Sequence, residues 1–345
     1  MPHYPAIEIV YQTVPERLNE DAYLIQTAAP LSEQIIFAAI DGATTRLTPP
    51  PLQTYLDTLP QTLTPAGFAA RFVRDALAQH ITAGEVTDLR ALMLAANADL
   101  GAAVRDILGD LTLDAMQFPP ELYDTLKHDP RLVRLGLPVC VMTLAAYDPA
   151  DHTLHYAHAG DTALLVVYED GRAEIPTARQ REFDSPLLAT MGQLRAQNPG
   201  LSTRDITQNP DLRHLNLHNG LNHNYVDEHG LPQPNRGTGV LNGQPELRYF
   251  VRTGELSLDG VALVCVMTDG LEWPTSAEEA FAGDATTAAN LRDQRIIYMA
   301  EQITARGLRG YLDHLRATET ADADHDQFPR MKTHDDAAGV LLRFG

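Results

Sequence analysis

The sequence predicts an α+β fold. Strand-like runs come in a block at the start, paired amphipathic helices follow, and further strands close the chain, without the βαβ alternation of a parallel sheet. The run Ile35-Ile36-Phe37-Ala38-Ala39-Ile40 anchors this reading. Six apolar residues, rich in Ile and too few for a helix, have the pattern of a buried strand. The run ends on Asp41-Gly42, where a carboxylate surfaces and a glycine allows a sharp turn or close approach to a ligand.

Strand candidates open the chain at Ala6 to Tyr11, Ala22 to Thr27 and Ile35 to Ile40. The polar loop Glu16-Arg17-Leu18-Asn19-Glu20-Asp21 leads into the second, and Pro49 to Pro51 interrupt regular structure after the third. Thr64-Pro65 reads as an N-cap with proline at the first helical position, and Phe68, Phe72, Val73, Ala76 and Leu77 then share a face. A second helix runs from about Asp88 to Leu108, with Leu89, Leu92, Met93, Ala96, Leu100 and Val104 as its core stripe. Residues 109 to 136 read as irregular or short-helical.

Strands resume at Pro138 to Tyr147, His152 to Ala159 and Thr162 to Tyr168. Residues 172 to 245 are polar, rich in Asn, Pro, Gly and His, and too long for an ordinary loop, so they read as a functional insertion. Strands return at Glu246 to Arg252 and Val261 to Thr268. A helical region from about Ala277 to Ala317 breaks near Gly307 and Gly310, Thr318 to Lys332 reads as acidic and loose, and His334-Asp335-Asp336 enters a terminal strand.

A chain of 345 residues accommodates one elaborated domain or two. Apolar content of 44% and charged content of 21% are those of a soluble globular protein. The net charge of −20 argues against nucleic acid or an anionic membrane as partner. A phosphorylated substrate stays open, because bound divalent cations invert the local potential. Cys140 and Cys265 lie in apolar runs, as reduced buried thiols rather than a disulfide framework. No signal peptide or membrane-length segment is evident, and the expected setting is cytoplasmic.

Asp-Gly is also the commonest hairpin turn signal. Asp170-Gly171 and Asp259-Gly260 abut strands and read as such turns, whereas Asp41-Gly42 and Asp269-Gly270 lead into no returning strand. Collected at strand borders are Glu20, Asp21, Asp41, Asp161, Asp269, Asp335 and Asp336. Two-metal hydrolysis needs such a cluster: a shared carboxylate bridges two divalent ions roughly 3.5–4 Å apart, and a bound water attacks phosphorus in line. The lack of a Cys or His ligand set favours Mg²⁺ or Mn²⁺ over Zn²⁺.

In this order the motifs resemble those of the metal-dependent protein serine/threonine phosphatases, the PPM or type 2C family, in a divergent, bacterial-like form. The resemblance rests on Asn19-Glu20-Asp21-Ala22, Ala39-Ile40-Asp41-Gly42, Ala159-Gly160-Asp161-Thr162, Met267-Thr268-Asp269-Gly270-Leu271 and Asp335-Asp336-Ala337-Ala338-Gly339-Val340. It implies a four-layer α-β-β-α sandwich of two antiparallel sheets flanked by helix pairs, a single domain over 1–345 with residues 172–245 as a flap. It also implies two Mg²⁺ or Mn²⁺ ions and possible room for a third. Asp41 would bridge them, with Glu20 and the Gly42 carbonyl on one ion and Asp269 and Asp335 on the other. Asp161 with Asp269 would hold the weaker third, and Asp21 and Asp336 would steady waters or ligands around the ions.

Two departures stand out. Where the family carries a phosphate-gripping arginine this chain has Glu16, which leaves Arg17, one step late, or Arg46 as the candidate clamp. Ala43-Thr44-Thr45 follows the bridging Asp-Gly in place of Gly-rich or His-containing sequence. The expected activity is hydrolysis of phosphoserine or phosphothreonine in a protein substrate, with Asp41, Asp269 and Arg17 as catalytic candidates. The alternatives are a pseudophosphatase that binds without turnover and a hydrolase of small phosphorylated metabolites. His214, His218, His223 and His229 read as solvated loop residues, His152, His155 and His158 as structural, and Trp273 as packing beneath the site. P-loop, G-x-S-x-G and C-x-x-C patterns are absent.

Overall fold

Every side chain from Ile35 to Ile40 is buried, because both faces of the strand are covered. Ile36, Ala38 and Ile40 pack against helices, while Ile35, Phe37 and Ala39 pack against a second sheet. The unbroken apolar run is thus the signature of a central layer. In the computed structural model the described residues are 4–14, 17–27, 34–43, 47–84, 88–109, 134–177, 184–210, 212, 215, 220–233 and 236–345.

The strands are β1 (Ala6–Gln12), β2 (Ala22–Thr27), β3 (Ile35–Gly42), β4 (Cys140–Asp148), β5 (Thr153–Ala159), β6 (Ala163–Tyr168), β7 (Ala173–Glu174), β8 (Arg252–Ser257), β9 (Val261–Met267) and β10 (Ala337–Arg343). They form two antiparallel sheets, ordered β1-β10-β9-β6-β7 and β2-β3-β4-β5-β8. Between them lies a core that includes Phe37, Tyr147, Leu164, Val264 and Val340.

Helices α1 (Pro50–Leu56), α2 (Pro65–Ala83) and α3 (Leu89–Leu108) cover the outer face of the second sheet. Thr64 and Asp88 cap α2 and α3, each side chain accepting a backbone N–H three residues on. The first sheet is covered by α7 (Ala285–Ala321), which follows the one-turn α6 (Ala277–Ala280) and whose Met299, Ile303, Leu308, Tyr311 and Leu315 meet Leu165, Leu263 and Cys265. Gly307, at φ +68°, splits α7 into two segments; the helix continues through Gly310. The Glu8 carboxylate accepts the Leu308 N–H at 2.7 Å, an anion at the start of the second segment. The four-layer α-β-β-α sandwich is therefore observed. Among the described residues no helix is long and apolar enough to cross a membrane.

Several local expectations are corrected. Residues 246–249 form a 3₁₀ turn (Pro245–Tyr249) rather than a strand, since Leu247 and Phe250, three apart, both turn inward. Asp170-Gly171 is a hairpin turn between β6 and β7, but Asp259-Gly260 joins strands of different sheets. Gly160-Asp161 is likewise a crossing from one sheet to the other, with Gly160 at φ +97° pressed on Val141. Residues 318–332 are tied down. The Asp322 carboxylate accepts from the N–H groups of Gln327 and Phe328 and pairs with Arg330 at 2.6 Å, and Arg330 also donates to the carbonyls of Glu319, Asp322, Phe328 and Thr333.

The described part of 172–245 includes β7, α4 (Asp184–Gln197) and α5 (Thr203–Ile206). The Thr203 N–H and hydroxyl both donate to Asp326, and the Arg204 N–H donates to the Asp324 carbonyl, so α5 docks on the 322–333 loop. Farther along, the Asn242 and Gly243 N–H groups donate to Asn97 of α3.

Candidate active site

Strand register brings the acidic motifs to one rim. Ala22 pairs with Ile40, Gly42 with Cys140, and Met142 with Ala159, which sets Asp21, Asp41 and Asp161 at the same end of the second sheet. In the first sheet Met267 faces both Ala163 and Gly339, which places Asp269 and Asp335 at that end too. Segments more than 300 residues apart in sequence meet here through pairing within each sheet and the stacking of the two sheets.

The carboxylates feel one another. Burial holds the carboxyl of Asp41 well above its ordinary range, and the charges of Asp269, Asp21, Asp161 and Asp335 push it further. Asp41 nevertheless keeps part of its surface open. Asp21 is 3% exposed and raised by burial and by Asp269, Asp336 and Asp335, against the lowering effect of a 2.8 Å hydrogen bond from Thr268 Oγ1. Asp335 is raised for the same first reason, burial, and then by Asp269.

Neighbouring groups fix these positions. Asp336 accepts the Val14 N–H at 3.0 Å and the Glu20 N–H at 2.9 Å, clamping the first acidic loop to the last strand. Thr268 joins Asp21 to Ala338 by donating through its hydroxyl and accepting the Ala338 N–H at 3.0 Å. Arg316 donates to the Gly270 and Asp335 carbonyls at 3.1 and 2.6 Å. A Cβ on Gly42 would strike the Glu20 carbonyl, and one on Gly270 the Asp336 carbonyl. Beneath Asp161, the Thr143 hydroxyl bonds Thr162 Oγ1 and His158 Nδ1.

Cations are few. Arg17 is exposed, its N–H closing a turn onto Val14; Glu16 and Arg46 lie outside the described residues. Arg71 binds the Gly67 and Asn19 carbonyls and the Tyr11 hydroxyl. Lys332 bonds an acid of the rim by its side chain, with Nζ lying 2.9 and 2.7 Å from the two Asp335 oxygens. Burial would lower the lysine, but Asp335, Asp269 and Asp41 outweigh it and hold the pKa above its ordinary value.

No protein-family model and no curated protein matches the chain by sequence. Among solved structures, the serine/threonine phosphatase Stp1 from Staphylococcus aureus aligns over 100% of this chain and 97% of its own, at 14% identity and a TM-score of 0.51. A bacterial serine phosphatase aligns over 99% of this chain and 98% of its own, also at 14% identity, with a TM-score of 0.47. The fold is that of a serine/threonine phosphatase. The family resemblance read from the five motifs is met at the level of architecture, over the whole chain.

Within this phosphatase fold, the donor chemistry can be tested against a hard divalent ion, which takes oxygen ligands. Asp41 and Asp269 fit: they are oxygen donors whose mutual repulsion a cation relieves. Asp335 does not fit while both its oxygens hold Lys332. As the side chains stand, no three His, Cys, Asp or Glu among the described residues are arranged to hold an ion.

Of the other candidates, Glu20 sits half-buried beside the Asp336 clamp, and Trp273 packs under the rim against Tyr298 and Tyr311. His223 is half-buried, lowered to about 4 by desolvation and by Arg134, and His229 is exposed beside Glu228; His214 and His218 lie outside the described residues. Sequence reasoning missed Lys332, Arg316 and Thr268. For Thr268 the available signal was its place beside Asp269; Lys332 and Arg316 carried none.

Proposed function

We propose that residues 1–345 act as one cytoplasmic, metal-dependent phosphatase domain that hydrolyses phosphoserine or phosphothreonine in proteins, with 172–245 as a flap. The observation that supports this most is the delivery of Asp21, Asp41, Asp161, Asp269 and Asp335 to one rim of a phosphatase fold. When bound, Mg²⁺ or Mn²⁺ would supply a water acidified for attack on phosphorus. Asp41 and Asp269 would hold that cation, with the Gly42 carbonyl and Glu20 as further oxygen donors and Asp161 near an outer position. Asp21, fixed by Thr268, would steady water at the rim. Arg17, the exposed guanidinium on the Glu20 loop, would take the substrate phosphate by paired N–H donation.

A second reading, binding without turnover, draws on the Lys332–Asp335 pair and on Glu16 in the clamp position. Hydrolysis of p-nitrophenyl phosphate in EDTA, Mg²⁺ and Mn²⁺ separates the two. Metal-dependent turnover lost in Asp269→Asn is the expected result; an inactive protein that still binds Mn²⁺ would replace the enzyme with a binding module. Phosphopeptides compared with small phosphorylated metabolites then fix the substrate class.

A further inference from the structure

Lys332 stands out by residue type alone. Of the 26 lysines and arginines only Lys127 and Lys332 are lysines, so this chain places nearly all its positive charge on guanidinium. An ammonium differs in being compact, a point charge with three rotatable donors, which suits a space of ionic dimensions. Lys332 is held at the rim from both sides of the chain. Upstream, Arg330 is locked by Asp322 and by the carbonyls of Glu319, Asp322 and Phe328. Downstream, the Arg316 guanidinium grips the Asp335 carbonyl. Between these anchors the ammonium bonds both oxygens of Asp335.

An ion shared by Asp269 and Asp335 needs those same oxygens and would lie beside a fixed positive charge. A divalent ion placed there would meet the repulsion of the ammonium, which the single charge of Asp335 offsets only in part. We propose that Lys332 is a built-in counter-cation that takes the place of one metal ion at Asp335. The chain then holds a single divalent ion tightly, at Asp41 and Asp269, and a second only weakly. This rests on the phosphatase reading of the rim and assigns Lys332 as the residue that sets its metal stoichiometry.

The test is Mn²⁺ binding to the full chain, read as free Mn²⁺ by electron paramagnetic resonance and as heat by calorimetry. Wild type, Lys332→Gln, Lys332→Arg, Asp335→Asn and Asp269→Asn are compared, each checked for folding by circular dichroism. Wild type should hold one tight ion, lost in Asp269→Asn and kept in Asp335→Asn. Lys332→Gln should bind a second ion at least about tenfold more tightly, the scale on which groups beside metal ligands act. Lys332→Arg keeps the positive charge in a bulkier planar group, and it should leave the second ion as weak as in wild type. Two tight ions in wild type, or no change in Lys332→Gln, would overturn the role of Lys332 and leave the metal reading standing. No tight Mn²⁺ in wild type or Lys332→Gln would overturn both. If Lys332→Gln fails to fold, the wild-type stoichiometry and the Asp335→Asn comparison still decide the matter.

Discussion

Asp41 destabilises the fold that presents it. Its carboxyl is raised by burial and by four neighbouring acids, so the folded chain holds that proton more tightly than the unfolded one. Between the ordinary value of 3.8 and the raised value the folded state carries more protons, and stability falls as pH rises through that window. Asp41→Asn removes the charge. The metal-free variant should be more stable than wild type at neutral pH by about 1–3 kcal/mol, with the difference fading toward pH ~4. Urea unfolding in EDTA at several pH values measures it, and a pH-independent difference would refute the electrostatic account. Gly270 shows the opposite kind of residue, fixed by space rather than charge. In Gly270→Ala the new methyl meets the Asp336 carbonyl, which should cost about 1–3 kcal/mol and disturb the neighbouring Asp335. A midpoint unchanged from wild type would show that the strand entrance gives way.

At the scale of elements, the segment from Asp322 to Thr333 departs furthest from its composition. Acidic residues suggested a loose loop, yet Arg330 ties it to the Asp322 carboxylate and to the carbonyls of Glu319, Asp322, Phe328 and Thr333. Composition reports mean solvation and is blind to one guanidinium meeting a carboxylate eight residues away. The strand Ile35–Gly42 and the cap at Thr64 were legible because periodicity and capping are local. The 3₁₀ turn at Pro245–Tyr249 was not, because five residues of mixed polarity satisfy more than one period, and only the burial of Leu247 and Phe250 resolves it. Whether an Asp-Gly turn stays within a sheet or crosses between sheets is likewise decided by distant pairing. Arg330→Ala leaves Asp322 with its two backbone donors but without its cation. We expect a loss of about 3 kcal/mol or more, the scale for breaking a buried pair. Hydrogen exchange should rise across 322–333, and the second Mn²⁺ should bind as it does in Lys332→Gln. Unchanged exchange would mean that the backbone bonds alone hold the loop.

At the scale of the whole molecule, the gathering of the five motifs at one rim was legible because they lie at strand ends. Each acid follows or precedes an apolar run; antiparallel pairing aligns them within each sheet, and the packing of the two sheets brings the two groups together. The rim cation was not legible, because nothing in a Lys-Thr-His-Asp tetrad says that the lysine folds back on the aspartate. Net charge adds a constraint that no single element carries. At −20 the chain repels a doubly negative phosphate group, and a bound divalent ion offsets this only within a Debye length of about 8–10 Å. A substrate approaching from farther out meets the field of the whole protein, which favours phosphopeptides whose flanks are basic. With matched phosphoserine peptides differing only in flanking Arg or Glu, the basic peptide should show the higher kcat/KM. That preference should shrink as ionic strength rises from about 20 to 300 mM, because screening removes steering and leaves the chemical step alone. A preference that persists at high salt would instead locate the discrimination in direct contacts near the rim, and would turn attention to the α5-bearing insertion.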